Sequence, residues 1–307
     1  MRSGGETAVR GARYAVATIG STTVGFALLR GHARAAPRSG TPVHSKAMRT
    51  FGLDPADRVA LVAHFDERGW VAVDALTPDV RASLPHWVDD VAAWPPDAGD
   101  WMQHFEATDA GPVLCRSENF VPFHAELRNL LTDGPMLEVA SALLGEPAVL
   151  YKEKVNYKAP GGAGYSPHQD APAYPLIDTH VSAMVAVDAA DAANGCLEVV
   201  SGADHERLPV DARGCLTAAA VANFAWEPLP VSAGTTLWFH SLTPHRSGPN
   251  PSPHPRRALY PTYNAASEGD QRAAYYATKR AAFAAAAPGD RAQVSLIGDF
   301  EGRPVSR

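Results

Sequence analysis

The order of apolar and polar positions divides the chain into a helical first part and a second part made of short strands. DPADRVALVAHFDERG, from Asp54 to Gly69, has apolar residues at helical spacing between an Asp-Pro start and a glycine stop, so it predicts a helix. WVAV follows as a short strand. TPDVRASLPHWVDDVAAW predicts a second helix that Pro85 kinks or splits, and HAELRNLLTDGPMLEVASALLG predicts two helices parted at its DGP triplet.

After Gly145 the pattern changes to β-branched runs separated by Gly, Pro and Asn. These runs are AVLYKEKVNYK, HVSAMVAV, CLEVV, TTLWFH and RRALYPTYN. Such short strands are typical of an antiparallel sandwich or barrel. An alanine-rich stretch over residues 270–286 predicts a last helix, and the tail beyond it is expected at the surface.

The composition is that of one catalytic domain with appendages, because 46% of the 307 residues are hydrophobic and 20% are charged. We place the domain at residues 48–290, between an N-terminal extension over 1–47 and a C-terminal tail over 291–307. The extension resembles a weak secretory signal, with arginines, an uncharged stretch and ARAA. We favour instead a disordered lead or a translation start at Met48, and therefore expect a cytoplasmic protein.

The net charge of −6 and the pI near 6.0 provide no basic field for nucleic acid or a membrane surface. A small-molecule partner is therefore expected, while the oligomeric state stays open. Three cysteines, an odd number in no metal-ligand spacing, indicate reduced thiols and a reducing compartment.

The clearest chemical signal is the pair His168 and Asp170 in YSPHQDAPAY. By itself it is also compatible with a hydrogen-bonded turn. Two histidines and a carboxylate leave three metal positions open, as in non-heme Fe(II) oxygenases. A second histidine is available at His240, His245 or His254.

Four ordered blocks resemble the phytanoyl-CoA dioxygenase family: FDERGWVAV, VNYKAPGGAGYSPHQD, MVAVDAADAANGCLEVVSGADH and GTTLWFHSLTPHRSGPNPSPHPRRAL. The resemblance implies a mainly β fold with flanking helices, built on a double-stranded β-helix, the jelly-roll or cupin-like core. It also implies an Fe(II)-dependent dioxygenase that uses 2-oxoglutarate and O2. In this family His168, Asp170 and His245 match the iron ligands, whereas His240 falls in a strand and His254 in a loop.

The resemblance also assigns the cosubstrate site. Arg256 matches the arginine that pairs with the distal carboxylate of 2-oxoglutarate, and a guanidinium suits this task because it binds carboxylates bidentately. Ser247 matches a hydroxyl that shares this carboxylate, and Asn156 matches a cosubstrate contact on the preceding strand. Arg257 points to the opposite side if this segment is a strand, so we expect it to be structural.

The alternation of side chains along the strand that carries Asn156 also suggests residues that contact the substrate. If Asn156 faces inward, so do Lys152, Lys154 and also Lys158, and an anionic substrate follows. The alternative is that these lysines fringe a solvated edge strand. Arg116 of CRSENF is a possible substrate contact at the mouth of the barrel, although a loop-capping role fits it equally well.

Aromatic residues supply candidate walls for the same cavity. Tyr174 is the one that we assign to the substrate, and Tyr165 and Trp226 are further wall candidates. Core packing is the expected role of Trp238.

The predicted reaction is hydroxylation of an unactivated C–H bond, because related halogenases lack the carboxylate ligand that Asp170 supplies here. YKEKVNYKAPGGAGYSPHQDAPAY is most similar to hydroxylases of small aminoalkylphosphonates. The alternatives are hydroxylation of an amino acid, a secondary metabolite or an acyl-CoA, and a catalytically silent ligand-binding β-helix.

Overall fold

The chain folds into two facing β-sheets with helices packed on the outer face of the larger sheet. The computed structural model describes residues 48–96, 98–202, 205–285 and 294–305. The N-terminal extension, residues 1–47, lies outside the described residues. Residues 291–293 and 306–307 of the predicted tail also lie outside them. The helices that we number α1 to α6 are Pro55–Arg68, Pro78–Ala92, Ala125–Thr132, Gly134–Leu144, Ala218–Val221 and Arg272–Ala285.

The strands run mostly antiparallel. Strands β1 to β15 are Thr50–Phe51, Trp70–Val73, Met102–Thr108, Gly111–Glu118, Ala148–Lys152, Lys154–Lys158, Tyr165–His168, His180–Ala186, Leu197–Val199, Glu227–Leu229, Thr236–His240, His245–Ser247, Arg256–Leu259, Thr262–Ala265 and Pro304–Val305. The large sheet has the order β1-β2-β11-β8-β13-β6-β4-β3-β15, with β14 joining β5 and β8. The small sheet has the order β10-β9-β12-β7. This arrangement is the predicted double-stranded β-helix.

The large sheet is buried on both faces because its strands alternate between two apolar layers. Trp238 packs with Leu61 and Leu84 of the helices on one face, as expected for a core residue. Leu237 faces the other way and packs with Leu197 of the small sheet. A strand that is buried on both faces therefore has an almost continuous run of apolar residues in its sequence.

The predicted helices form for the reasons that the sequence indicated. Asp54 accepts hydrogen bonds from the backbone N–H groups of Ala56 and Asp57 at the start of α1, and Gly69 ends that helix at φ 76°. Pro85 lies inside α2, which continues through it. Burial of Leu84 and Val88 against the sheet holds α2 together across the proline.

Two features were not predicted. The hairpin of β3 and β4 extends the large sheet beside β6, so β6 is an interior strand and the solvated-edge interpretation of its lysines was wrong. The tail was also wrongly placed at the surface, since Val294 and Asp299 are buried and β15 pairs with β3. The reason is that β15 adds an edge strand beside β3, and the residues before it form backbone hydrogen bonds with Gly164 and Ser166.

Candidate active site

The candidate metal centre lies where the small sheet meets the loop after β7. His168 ends β7 and His245 begins β12, and these two residues are register partners in neighbouring antiparallel strands. Asp170 follows in a loop that is fixed by the hydrogen bond from the Ala171 N–H to the Ser241 carbonyl, 3.0 Å. As a result the ligand atoms of His168, Asp170 and His245 all lie within 4.8 Å of one another, and all three residues are buried.

Both histidines are oriented for metal binding by their backbone. Nδ1 of His168 lies 2.7 Å from the Ser166 carbonyl oxygen, and Nδ1 of His245 lies 3.0 Å from that of Thr243. Only a protonated Nδ1 can donate to a carbonyl, so Nε2 of each ring is left as the unprotonated ligand atom. Burial, with His168 nearby, lowers the pKa of His245 to about 4, which keeps its imidazole neutral.

The carboxylate of Asp170 is held by two hydroxyls. Ser182 donates a short hydrogen bond to Oδ2 and is itself within 3.0 Å of the Thr262 hydroxyl, while the Tyr174 hydroxyl lies 3.4 Å from Oδ1. Burial would raise the pKa of Asp170, but His245 and the cavity lysines outweigh burial and hold this pKa well below its usual range. Asp170 is therefore an ionised, oriented ligand.

A second polar cluster lies at the end of β13 and β6. Arg256 and Lys158 are register partners. Both approach the Ser247 hydroxyl, with Lys158 Nζ at 2.5 Å and Arg256 Nη2 at 3.3 Å from Oγ. Two buried cations beside one hydroxyl repel each other unless an anion joins them. Burial, with Arg256 nearby, accordingly lowers the pKa of Lys158 to about 6.

The guanidinium of Arg256 has spare donors. Its Nε and Nη1 are buried, and neither has a hydrogen-bond partner in the part of the chain that the structure describes. Orphaned buried donors of this kind are costly unless a ligand accepts from them. A carboxylate at this position would accept from both, so Arg256, Ser247 and Lys158 fit the distal end of 2-oxoglutarate.

Between these clusters lies a cavity, which the three metal-ligating side chains line on one side. Lys152, Lys154 and Asn156 line it from the β5–β6 strands, as alternation predicted. Neither lysine ammonium has a hydrogen bond or ion pair with another described residue, although Lys152 Nζ lies 4.7 Å from the centre of the Tyr174 ring. Burial lowers the pKa of both lysines, and that of Lys154 lies well below its usual range, because Arg116 and Lys152 add repulsion.

Arg116 lies behind this row of side chains. Its Nε donates to Asn156 Oδ1 at 2.9 Å, and its Nη1 donates to the Val294 carbonyl and to Ser295 Oγ at 2.9 and 2.7 Å. It therefore orients Asn156 and anchors the C-terminal segment. Arg116 and Tyr174 line a second cavity, which shares Lys152 and Lys154 with the first.

The remaining histidines lie elsewhere. His240 stacks on His205 at 4.0 Å between ring centres, and His254 is exposed in a loop. Neither belongs to the metal-ligating group. Arg257 points away from the cosubstrate cluster and pairs with Asp188 at 2.8 Å, a structural role as expected.

Three functional candidates were missed or left undecided from sequence. Ser182 lies in a wholly apolar-looking strand, and nothing in HVSAMVAV marked it. Lys158 was placed inward by alternation, but its contact with Ser247 depends on a distant strand. Asp299 lines both cavities and was hidden in the tail. Its Oδ2 lies 3.6 Å from His168 Nε2. Burial would raise the pKa of Asp299, but His168 and Arg116 outweigh it and lower this pKa.

Comparison with known proteins agrees with this geometry. Residues 65–258 match the family described as phytanoyl-CoA dioxygenase (PhyH). The chain belongs to this family. It is an Fe(II)- and 2-oxoglutarate-dependent dioxygenase that uses O2.

Two curated relatives act on phosphonates. The chain is 47% identical over 248 residues to a methylphosphonate hydroxylase of Gimesia maris, covering 79% of this chain and 95% of the relative. It is 39% identical over 215 residues to a 2-aminoethylphosphonate dioxygenase of an uncultured bacterium, covering 68% and 80%.

A solved structure supports the fold. The epimerase SnoN, in complex with Fe3+, alpha ketoglutarate and nogalamycin RO, aligns with a TM-score of 0.60 over 83% of this chain and 97% of its own. Because the sequence identity is only 21%, this likeness shows that the two proteins share a fold and shows nothing about function. Within the described residues, no helix is both long and apolar enough to cross a membrane.

Proposed function

We propose that this dioxygenase hydroxylates a C–H bond of a small phosphonate. The observation that carries the proposal is the pair of lysines Lys152, which is buried, and Lys154, which is half-buried. Both line the cavity beside the metal-ligating residues, and neither ammonium group has a hydrogen-bond or ion-pair partner among the described residues. Uncompensated buried cations are unfavourable, and a dianionic ligand between them removes the penalty. The substrates named for both curated relatives carry such a group.

In this proposal His168, Asp170 and His245 hold Fe(II) through two neutral imidazoles and one carboxylate. Arg256, Ser247 and Lys158 hold the distal carboxylate of 2-oxoglutarate, and Asn156 contacts the cosubstrate from β6. When bound, the iron and 2-oxoglutarate supply the oxidation, in which O2 and 2-oxoglutarate yield succinate, CO2 and one hydroxyl on the substrate.

The protein contributes position and the exclusion of water. Leu197 and Phe239 form apolar walls, and Lys152 and Lys154 anchor the anionic end of the substrate. Arg116 orients Asn156 by a hydrogen bond. Tyr174 donates a hydrogen bond to the metal-ligating Asp170, and its ring lies against the Lys152 ammonium group.

The boundaries and the location of the protein belong to the same proposal. We assign the catalytic domain to residues 48–290, flanked by the N-terminal extension and the tail, with buried residues of the tail completing the site. Three buried free cysteines support a reducing, cytoplasmic setting.

A substrate panel tests the proposal. Enzyme reconstituted with Fe(II) and 2-oxoglutarate is given small phosphonates, free amino acids and acyl thioesters, and substrate-stimulated release of succinate is measured. We expect a small phosphonate to give the largest stimulation. A neutral compound or an acyl thioester as the best substrate would refute the phosphonate assignment.

A further inference from the structure

The C-terminal segment, residues 294–305, is built into the active site. The Ser166 N–H donates to the Asp299 carbonyl at 2.7 Å, and the Glu301 N–H donates to the Gly164 carbonyl at 3.1 Å. Both bonds attach the segment to β7 and the residue just before it, close to the ligand His168. The backbone at Asp299 and just after it is therefore fixed, and Asp299 is only 2% exposed.

The carboxylate of Asp299 lines both cavities together with Lys152 and Lys154. One of its oxygens, Oδ2, lies 3.6 Å from His168 Nε2. The other oxygen, Oδ1, is buried and has no hydrogen-bond partner in the described ranges. Among the described residues no ion pair joins Asp299 to Lys152 or Lys154, although His168, Arg116 and Lys154 together outweigh burial and lower the pKa of Asp299.

The site thus presents charges of both signs to one small ligand. Two lysine ammoniums without partners call for an anionic group, and a buried carboxylate oxygen without a partner calls for a donor that is preferably cationic. An alkylphosphonate supplies an anionic group for the lysines but no donor for the Asp299 carboxylate. A compact zwitterion, with an ammonium and a phosphonate on neighbouring carbons, satisfies both.

We propose that Asp299 is a specificity-determining residue that binds the ammonium group of a zwitterionic substrate whose phosphonate lies at Lys152 and Lys154. The inference rests on the proposed function and deepens it, because it distinguishes aminoalkylphosphonates from alkylphosphonates as substrates. Asp299 binds and orients the substrate and takes no part in the oxidation.

The test compares 2-aminoethylphosphonate with ethylphosphonate, which has the same carbon chain without the amine. Both are assayed with the wild-type enzyme and with Asp299→Asn, which keeps the shape of the side chain and removes its charge. Succinate release gives kcat and KM. Calorimetric titration of the oxygen-free, metal-loaded protein gives the Kd of each phosphonate. Asp109→Asn, the same change at an exposed turn between β3 and β4, is the matched control.

In Asp299→Asn we expect KM and Kd for 2-aminoethylphosphonate to rise about ten- to a hundredfold, the cost of one charge-assisted contact. The values for ethylphosphonate should change less than about threefold by the same reasoning, and Asp109→Asn should change neither. An equal loss for both phosphonates would overturn the assignment, since Asp299 would then act on the metal site or the fold. No loss for either would overturn it as well.

Failure of the proposed function has a different signature. It appears in the wild-type enzyme, as the absence of stimulation by any phosphonate, and the comparison is then made with the best substrate of the panel and its amine-free counterpart. A wild-type enzyme that prefers the amine-free compound contradicts the role of Asp299 whichever substrate is found.

Discussion

We expect the affinity for 2-oxoglutarate to depend on pH, because Lys158 and Arg256 are two buried cations beside the Ser247 hydroxyl. Without a ligand, burial and the neighbouring Arg256 lower the pKa of Lys158 to about 6, although Glu301, Cys196 and Glu106 oppose this shift. The carboxylate of a bound 2-oxoglutarate favours the ammonium form and raises this pKa. Between the two pKa values, binding therefore takes up a proton, so affinity is full below pH 6 and falls as the pH rises.

The magnitude follows from the pKa. At pH 8, protonating a group with a pKa of about 6 costs about 2.7 kcal/mol, since one pKa unit corresponds to about 1.4 kcal/mol. The Kd for 2-oxoglutarate should rise about tenfold from pH 7 to pH 8. Lys158→Met removes the titrating group and its contact, so its Kd should be independent of pH and weaker than that of the wild-type enzyme mainly near pH 6.

Calorimetric titration of oxygen-free, metal-loaded enzyme measures both effects. Buffers with different ionisation enthalpies report the uptake of protons directly, and Lys154→Met, a cavity lysine away from Ser247, should keep the pH dependence of the wild-type enzyme. A wild-type Kd that is equal at pH 7 and pH 8, with no uptake of protons, would show that Lys158 does not meet the cosubstrate.

Three other changes test separate parts of the site. His245→Ala should abolish iron binding and turnover, whereas His240→Ala should keep both, as metal analysis and succinate release will show; the opposite result would reassign the ligand. Ser182→Ala should weaken metal affinity about tenfold or more by freeing Asp170, which a competition with chelators measures; unchanged affinity would make Ser182 a packing residue. The double variant Lys152→Met, Lys154→Met should raise the substrate KM about a hundredfold while substrate-independent decay of 2-oxoglutarate stays the same, and normal turnover would remove the main support for an anionic substrate.

Local sequence was sufficient for the elements that carry the metal-ligating residues. The HxD pair and the short strands around it are recognisable locally, whereas the choice of His245 over His240 and His254 came from the resemblance of its block to the family. Alternation then placed Lys154 on the side of Asn156, because side chains on one strand repeat every second residue. Lys152 faces the same cavity, although it ends β5 and Lys154 begins β6.

What could not be predicted depends on distant segments. Asp299 lies in a tail without apolar periodicity. It is buried because its carbonyl accepts from the Ser166 N–H and the Glu301 N–H donates to the Gly164 carbonyl. The interior position of β6 likewise depends on the β3–β4 hairpin, whose pairing register is a tertiary property. Neither contact leaves a pattern in the local sequence.

The most direct test of the proposed phosphonate hydroxylation is the stoichiometry of the reaction with the best phosphonate substrate. Fe(II)-reconstituted enzyme is incubated with O2, 2-oxoglutarate and that substrate, and phosphorus NMR of the product is compared with succinate formed. We expect one hydroxylated phosphonate, with its carbon–phosphorus bond intact, for each succinate. Succinate without a hydroxylated product, or release of inorganic phosphate, would contradict it.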